Sequence, residues 1–230
     1  MKWEDALQPL RDEANWARER SMPDVYLLTL SFPFLLFLLS SKLDAMLMLI
    51  LETSSEKGCL ILAEGEKVLR VKELPGGPGL SRCLALEVKN ILNGEKPELL
   101  AVGTGPGSYT GIRVGAALAK GLAYGWGVPL MGFCSLEAFG PGTVLVDARR
   151  GGIYARFEQE AAELIGVDDP RLKKIANFVS PHPELVQKRI QLPLAGTEKS
   201  VDACYLSRRV YEMFLEKGTG TFELNYISSP

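Results

Sequence analysis

The chain has 230 residues, 47% of them hydrophobic, enough to bury one large core or two small ones. Its 26 Lys and Arg against 28 Asp and Glu leave a formal charge of −2, with the acidic excess confined to the first 45 residues, so the clustered basic footprint of a direct nucleic-acid binder is missing. The four cysteines, Cys59, Cys83, Cys134 and Cys204, contain no C-x-x-C pair, and His182 is the only histidine, which excludes a metal site or mechanism needing two imidazoles.

In chain order, Met1 to Asp24 is charged and mixed in sign, and it precedes the apolar run Val25 to Leu39. That run contains Pro33 and is shorter than the roughly 20 residues a helix needs to cross a bilayer. The acids before it also make a poor secretory signal. Met1 to Ala45 is therefore expected to lie outside the fold, as upstream sequence, with Met46 or Met48 as the first functional residue. A membrane tether through Val25 to Leu39 is the alternative.

From Met46 the pattern becomes regular. Leu47 to Glu52, Gly58 to Ala63 and Lys67 to Leu74 read as three short strands joined by the polar turns Thr53 to Lys57 and Glu64 to Glu66, an antiparallel meander. After the Pro75 to Gly79 loop, Leu80, Leu84, Val88 and Ile91 recur at helical spacing until Asn93-Gly94. This first helix is followed by Leu99 to Gly103, a strand apolar on both faces. Next comes the stretch on which the chain is organised, a glycine turn opening a second helix. Gly105 and Gly107 permit backbone angles other residues avoid, Pro106 fixes φ, and Ser108 or Thr110 can cap the helix.

That second helix carries Gly111, Gly115, Ala119 and Ala123 at intervals of four, a stripe almost without side chains, although each glycine costs a helix about 1 kcal/mol relative to alanine. Small residues let another backbone come close. The stripe therefore faces either a partner helix or the chain's own sheet.

Val128 to Phe133 reads as a further buried strand, and Ser135 as the cap of a short helix through Phe139. After Pro141-Gly142 a hairpin restarts the pattern, with strands Thr143 to Asp147 and Ile153 to Phe157. This predicts a division near residue 140, giving 46–140 and 141–230 as two domains and 1–45 as an extension. Glu158 to Gln191 gives no clear elements. Val201 to Lys217, capped by Ser200, reads as the last helix, and Thr221 to Ile227 as an edge strand.

Three places could carry chemistry. The glycine turn at Gly105, Gly107 and Ser108 offers free N–H groups at a helix start that attract anions, although neither a P-loop nor a complete dinucleotide fingerprint is present. Glu52, Thr53 and Ser54 close the first strand with an acid and two hydroxyls, able to hold a metal through water, to contact a phosphate, or simply to form a hairpin turn. Asp147, Arg149 and Arg150 stand at the mirror position in the second hairpin, where charges are usually solvated. His182, between two prolines and without a partner motif, reads as a surface loop residue.

Met46 to Gly58, the block G-T-G-P-G-S-Y-T-G-I-R-V-G-A-A-L-A-K-G-L-A (Gly103 to Ala123) with Val128 to Ala138, and V-L-V-D-A-R-R-G-G-I-Y (Val144 to Tyr154) together resemble the TsaB (YeaZ) family. The resemblance covers Met46 to Phe157 well and the remainder poorly. It implies an α/β fold of the actin-like, sugar-kinase-like (ASKHA) type, two domains of a βββαβα plan with the second reduced. It further implies a non-catalytic, cytoplasmic dimerisation subunit. That subunit pairs with the catalyst TsaD, and works with the ATPase TsaE, to place a threonylcarbamoyl group on N6 of the adenosine 3′ of the anticodon in tRNAs reading ANN codons. By this resemblance the partner interface lies on the first two helices (Leu84, Val88, Gly111, Gly115, Ala119 and Ala123), and Glu52, Thr53, Ser54, Gly105, Gly107 and Ser108 are vestigial nucleotide contacts. No cofactor is required by the subunit itself, since ATP and metal belong to its partners. tRNA is contacted mainly through the complex, no membrane is involved, and alone the chain can form a homodimer. The family's usual Asp is Glu52 here, and its usual Glu is Gly152. The alternative is a nucleotide-dependent enzyme of the same fold, an ATPase, kinase or peptidase.

Overall fold

A computed structural model describes residues 46–149, 151–158, 160–219 and 223–224. The expectations for Met1 to Ala45, including the run Val25 to Leu39, lie outside the described residues, as does most of the expected edge strand at Thr221 to Ile227. Residues 46–230 form one compact unit.

The first sheet is built from β1 (Leu47–Glu52), β2 (Cys59–Glu64), β3 (Lys67–Glu73), β4 (Leu99–Gly103) and β5 (Leu130–Phe133), in the order β3-β2-β1-β4-β5. β1, β2 and β3 are antiparallel neighbours, and β4 and β5 add in parallel on the other side. Because side chains alternate across a strand, β1 sends Leu49 and Leu51 to one face and Met48 and Ile50 to the other. Both faces are covered, so the strand is apolar throughout rather than alternating.

Helix α1 (Gly79–Leu92) and helix α2 (Tyr109–Trp126) cover the first face with Leu80, Leu84, Val88, Ala119 and Ala123. Asn93, at φ 47°, ends α1, and Gly127, at φ 64°, ends α2. Ser108 caps α2, its hydroxyl accepting the Gly111 N–H at 3.3 Å.

The second sheet contains β6 (Val144–Asp147), β7 (Ile153–Arg156), β8 (Glu163–Ile165), β9 (Asn177–Ser180) and β10 (Ala195–Glu198). Its order, β10-β9-β6-β7-β8, is the first sheet's order over again, with β9 standing where β4 stands. Between β9 and β10 runs α3 (Pro183–Ile190), whose Val186 and Ile190 pack with Leu145, Ile153 and Phe178. The counterpart of α1 has shrunk to a single 3-10 turn, Pro170–Lys173, which gives the reduced second half its physical form.

Three local expectations need correction. The last helix, α4 (Ala203–Lys217), is capped by Asp202 rather than Ser200, the Asp202 carboxylate accepting the Tyr205 N–H at 3.0 Å. It also does not join the second half: Leu206, Val210 and Tyr211 lie against Met48, Ile50 and Ile61 on the free face of the first sheet. Ser135 does not cap the 3-10 segment Ser135–Phe139, where Cys134 occupies the cap position. Its hydroxyl is committed elsewhere, accepting the Gly105 N–H at 3.0 Å.

Candidate functional site

The carboxyl ends of the two sheets open onto a cleft of about 1170 Å³. One wall is the turn after β1, the start of α1 and the glycine turn; the other is the β6–β7 turn, the end of β9 and the start of α3. Parallel strand ends are where open α/β sheets collect loops able to hold ligands.

The first wall is rigid because its two turns are bonded to each other. The Thr53 hydroxyl donates to the Gly111 carbonyl at 2.9 Å, and the Ser108 N–H donates to the Ser54 carbonyl at 2.6 Å. The glycines make this approach possible. A Cβ on Gly111 would stand 2.0 Å from the Thr53 carbonyl oxygen, and one on Gly115 would stand 2.2 Å from Oγ1 of Thr53. The G-x-x-x-G spacing of α2 is thus the imprint of the β1 turn on the helix.

This decides how the stripe is used. Gly111, Gly115, Ala119 and Ala123 are all buried inside the molecule, and so are Leu84 and Val88 of α1. None of the six is available to a partner, because the first two glycines seat Thr53 and the other four residues pack on the sheet. The outward faces of α1 and α2 carry other residues: Leu86 is 57% exposed, Tyr124 is 93% exposed, and a Cβ on Gly121 or Gly125 would meet nothing within 4 Å.

Of the six expected vestigial nucleotide contacts, Thr53, Ser54, Gly107 and Ser108 line the cleft, and Glu52 and Gly105 do not. The Glu52 side chain turns inward and is fully buried, with Oε1 accepting the Ser54 N–H at 2.6 Å. Its Oε2 makes no hydrogen bond of good geometry and rests against Gly103, where a Cβ would come within 2.2 Å. Burial pushes the Glu52 carboxyl above the ordinary carboxylate range, only partly opposed by hydrogen bonding around Ser54 and Ser135. A carboxyl in this position props up both turns from beneath and does not reach a ligand in the cleft. Among the described residues, no group of three or more His, Cys, Asp or Glu gathers as a metal site.

The second wall corrects the reading of His182. It is no isolated surface residue but lines the cleft at the start of α3, with Nδ1 3.6 Å from Glu184 and Nε2 3.8 Å from Glu56. Asp147 accepts the Arg149 N–H at 3.0 Å and pairs with the Arg189 guanidinium at 2.5 Å, so its carboxylate ties its own turn to the end of α3. Tyr154, the last residue of the stretch Val144 to Tyr154, also lines this wall, as do Leu185 and the Ser180-Pro181 segment, which no sequence motif marks. The repeated strand order explains their place: β9 matches β4, so the residues after Ser180 fall opposite the glycine turn.

No helix among the described residues is long and apolar enough to cross a membrane.

A family model described as TsaD, tRNA N6-adenosine threonylcarbamoyltransferase, matches residues 87–207, just over half of the chain. The tRNA threonylcarbamoyladenosine biosynthesis protein TsaB of Haemophilus influenzae is 32% identical over 136 residues, which cover 53% of this chain and 56% of that protein. TsaB of Bacillus subtilis is 38% identical over 68 residues, covering 26% of this chain and 31% of the relative. The chain thus spans about half or less of the length of these curated relatives. Among solved structures, a Pseudomonas aeruginosa protein described as similar to the peptidase YEAZ superposes with a TM-score of 0.64 at 18% identity, over 80% of this chain and 100% of that one. A second structure, YeaZ from Pseudomonas aeruginosa, superposes with a TM-score of 0.60 at 18% identity, over 77% of this chain and all of the other. The two-sheet α/β fold is therefore of the actin-like, ASKHA type.

Proposed function

The chain belongs to the family described as TsaD, tRNA N6-adenosine threonylcarbamoyltransferase, and from that premise we propose that it is a TsaB/YeaZ-type, non-catalytic subunit of a tRNA threonylcarbamoyladenosine synthesis complex, pairing with a TsaD-type catalyst. Family membership carries the assignment to this tRNA modification. The pairing surface is the outward side of α1 and α2, centred on Leu86 and Tyr124, since their inward faces are filled by the chain's own sheet. Exposed aromatic and aliphatic side chains on neighbouring helices are the kind of anchor that interfaces bury.

Two features support a supporting rather than a catalytic role. The sequence has one histidine, and the acid closing β1 is withdrawn beneath the turn instead of facing the cleft. ATP, metal and most tRNA contacts are then supplied by the other subunits, TsaD and TsaE, and the reaction proceeds in the cytoplasm. When no catalyst is present, the same outward surface serves a homodimer.

The test is co-purification with TsaD followed by the modification assay on unmodified tRNA. Leu86→Asp and Tyr124→Ala should each weaken pairing by roughly 30-fold or more while leaving melting unchanged, the loss expected when an interface anchor is removed. Full pairing by both variants, or ATP hydrolysis and tRNA modification by the chain alone, would overturn the proposal.

A further inference from the structure

Across the mouth of the cleft, one side is the tip of the β1–β2 turn, with Glu56 and Lys57, and the other is three separate parts of the second sheet. The Glu56 carboxylate pairs with the Arg149 guanidinium at 2.9 Å and lies 3.8 Å from His182 Nε2. Lys57 pairs with Glu198 at the end of β10. One short turn therefore reaches the β6–β7 turn, the start of α3 and the edge strand of the opposite sheet.

The partners are held ready for this. Arg149 sits at φ 59°, an angle uncommon outside glycine, fixed by its own N–H to Asp147 and by Arg189, which donates to its carbonyl at 3.3 Å. Glu56 is backed by Gly76, where a Cβ would stand 2.9 Å from its Cα. Both ends of the contact are thus anchored in backbone, while the contact itself is exposed, with Arg149 75% and Glu56 57% accessible. Exposed pairs of this kind are weak and are screened by salt.

We propose that Glu56 and Lys57 form an ionic clasp that holds the cleft closed at its mouth and opens on a small perturbation. The cleft floor does not take part: Thr53 and Gly111 are joined by a buried hydrogen bond, and Gly111 and Ser108 by a half-buried one, neither of which depends on these charges. Opening is then a separation of the two turns at their tips, with both sheets intact. His182 faces Glu56 across the mouth and Glu184 on its own helix, and only the first of these spans the cleft.

The experiment is amide hydrogen exchange, read by mass spectrometry on the full-length chain alone, which keeps it independent of any pairing. In E56Q/E198Q, exchange in residues 54–58 and 148–152 should rise about fivefold, while β4 and the start of α2 stay protected. Raising salt from about 0.05 to about 0.5 M should produce the same rise in the unmodified chain and little further rise in the double variant. The charge-reversed pair E56R/R149E should exchange more slowly than either single change. Unchanged exchange in the double variant, a salt effect of equal size in both proteins, or acceleration extending into β4 would overturn the clasp.

Discussion

The Thr53 hydroxyl donates a hydrogen bond of 2.9 Å to the Gly111 carbonyl, 58 residues further along the chain, and in doing so fixes the turn after β1 against the first turn of α2. The same contact sets opposite demands on four glycines of one helix.

Gly111→Ala and Gly115→Ala should both destabilise, the first more. At Gly111 the new methyl meets the Thr53 carbonyl at 2.0 Å, and backbone cannot rotate away, whereas at Gly115 it meets a side-chain hydroxyl at 2.2 Å. Overpacking of this kind costs about 1–3 kcal/mol, a fall of roughly 2–12 °C in melting temperature for a chain of this size. Gly121→Ala and Gly125→Ala meet nothing and should stabilise by about 0.5–1 kcal/mol each. Thermal melts of the four variants check this; one common sign for all four would refute the assignment of faces.

Glu52 predicts a pH dependence. Its folded-state pKa is raised, so above the ordinary value of 4.5 the folded chain still holds a proton that the unfolded chain has lost. Stability therefore falls as pH rises from there through the raised value, and below that window the penalty is absent. Glu52→Gln removes the titration while keeping the shape. The melting temperature of the unmodified chain should drop relative to that of Glu52→Gln as pH rises above 4.5. A constant gap over that range would show that the buried carboxyl does not titrate there.

Arg156 is 4% exposed, and its guanidinium donates to the carbonyls of Gly140 and Glu158. Arg156→Met keeps the length of the side chain and strands the buried Gly140 carbonyl, at about 1–3 kcal/mol, while the half-buried Glu158 carbonyl is left to water. Denaturant unfolding should register a lower midpoint with an unchanged slope; an unaltered midpoint would mean that water replaces the guanidinium.

The cysteines separate by environment. Burial raises the Cys59 thiol far above its ordinary range and pushes Cys134 up to about 11, whereas Cys204 is exposed on α4. A thiol reagent at neutral pH should modify Cys204 first and reach Cys59 and Cys134 only after denaturation, because the thiolate is the reacting form. Peptide mapping of the modified chain gives the order directly, and early modification of Cys59 would contradict the buried core.

Elements whose pattern is local could be read from the sequence. β1 and β4 fall where their apolar runs end, and Ser108 caps α2 as its position before a periodic segment implies. Whatever depends on distant residues could not be read so directly. The spacing of Gly111 and Gly115 announces a close approach without saying to what, and the answer, Thr53, lies across 58 residues of chain. Glu52 looks like a cleft acid in sequence, and only the room left by Gly103 shows that its carboxyl folds under the turn. His182 has no motif because the carboxylate it faces across the cleft, Glu56, comes from a distant loop.

The return of α4 to the first sheet bears on how the protein is made. The strands of that sheet are complete at Phe133, yet Met48, Ile50 and Ile61 on one face wait for Leu206, Val210 and Tyr211. On a ribosome adding about 5–20 residues per second, that face stays bare for roughly 4–17 s while the second sheet is still being synthesised. The first half to emerge is thus the last to be sealed, and during that interval the nascent chain presents an apolar sheet surface to the cell's chaperones.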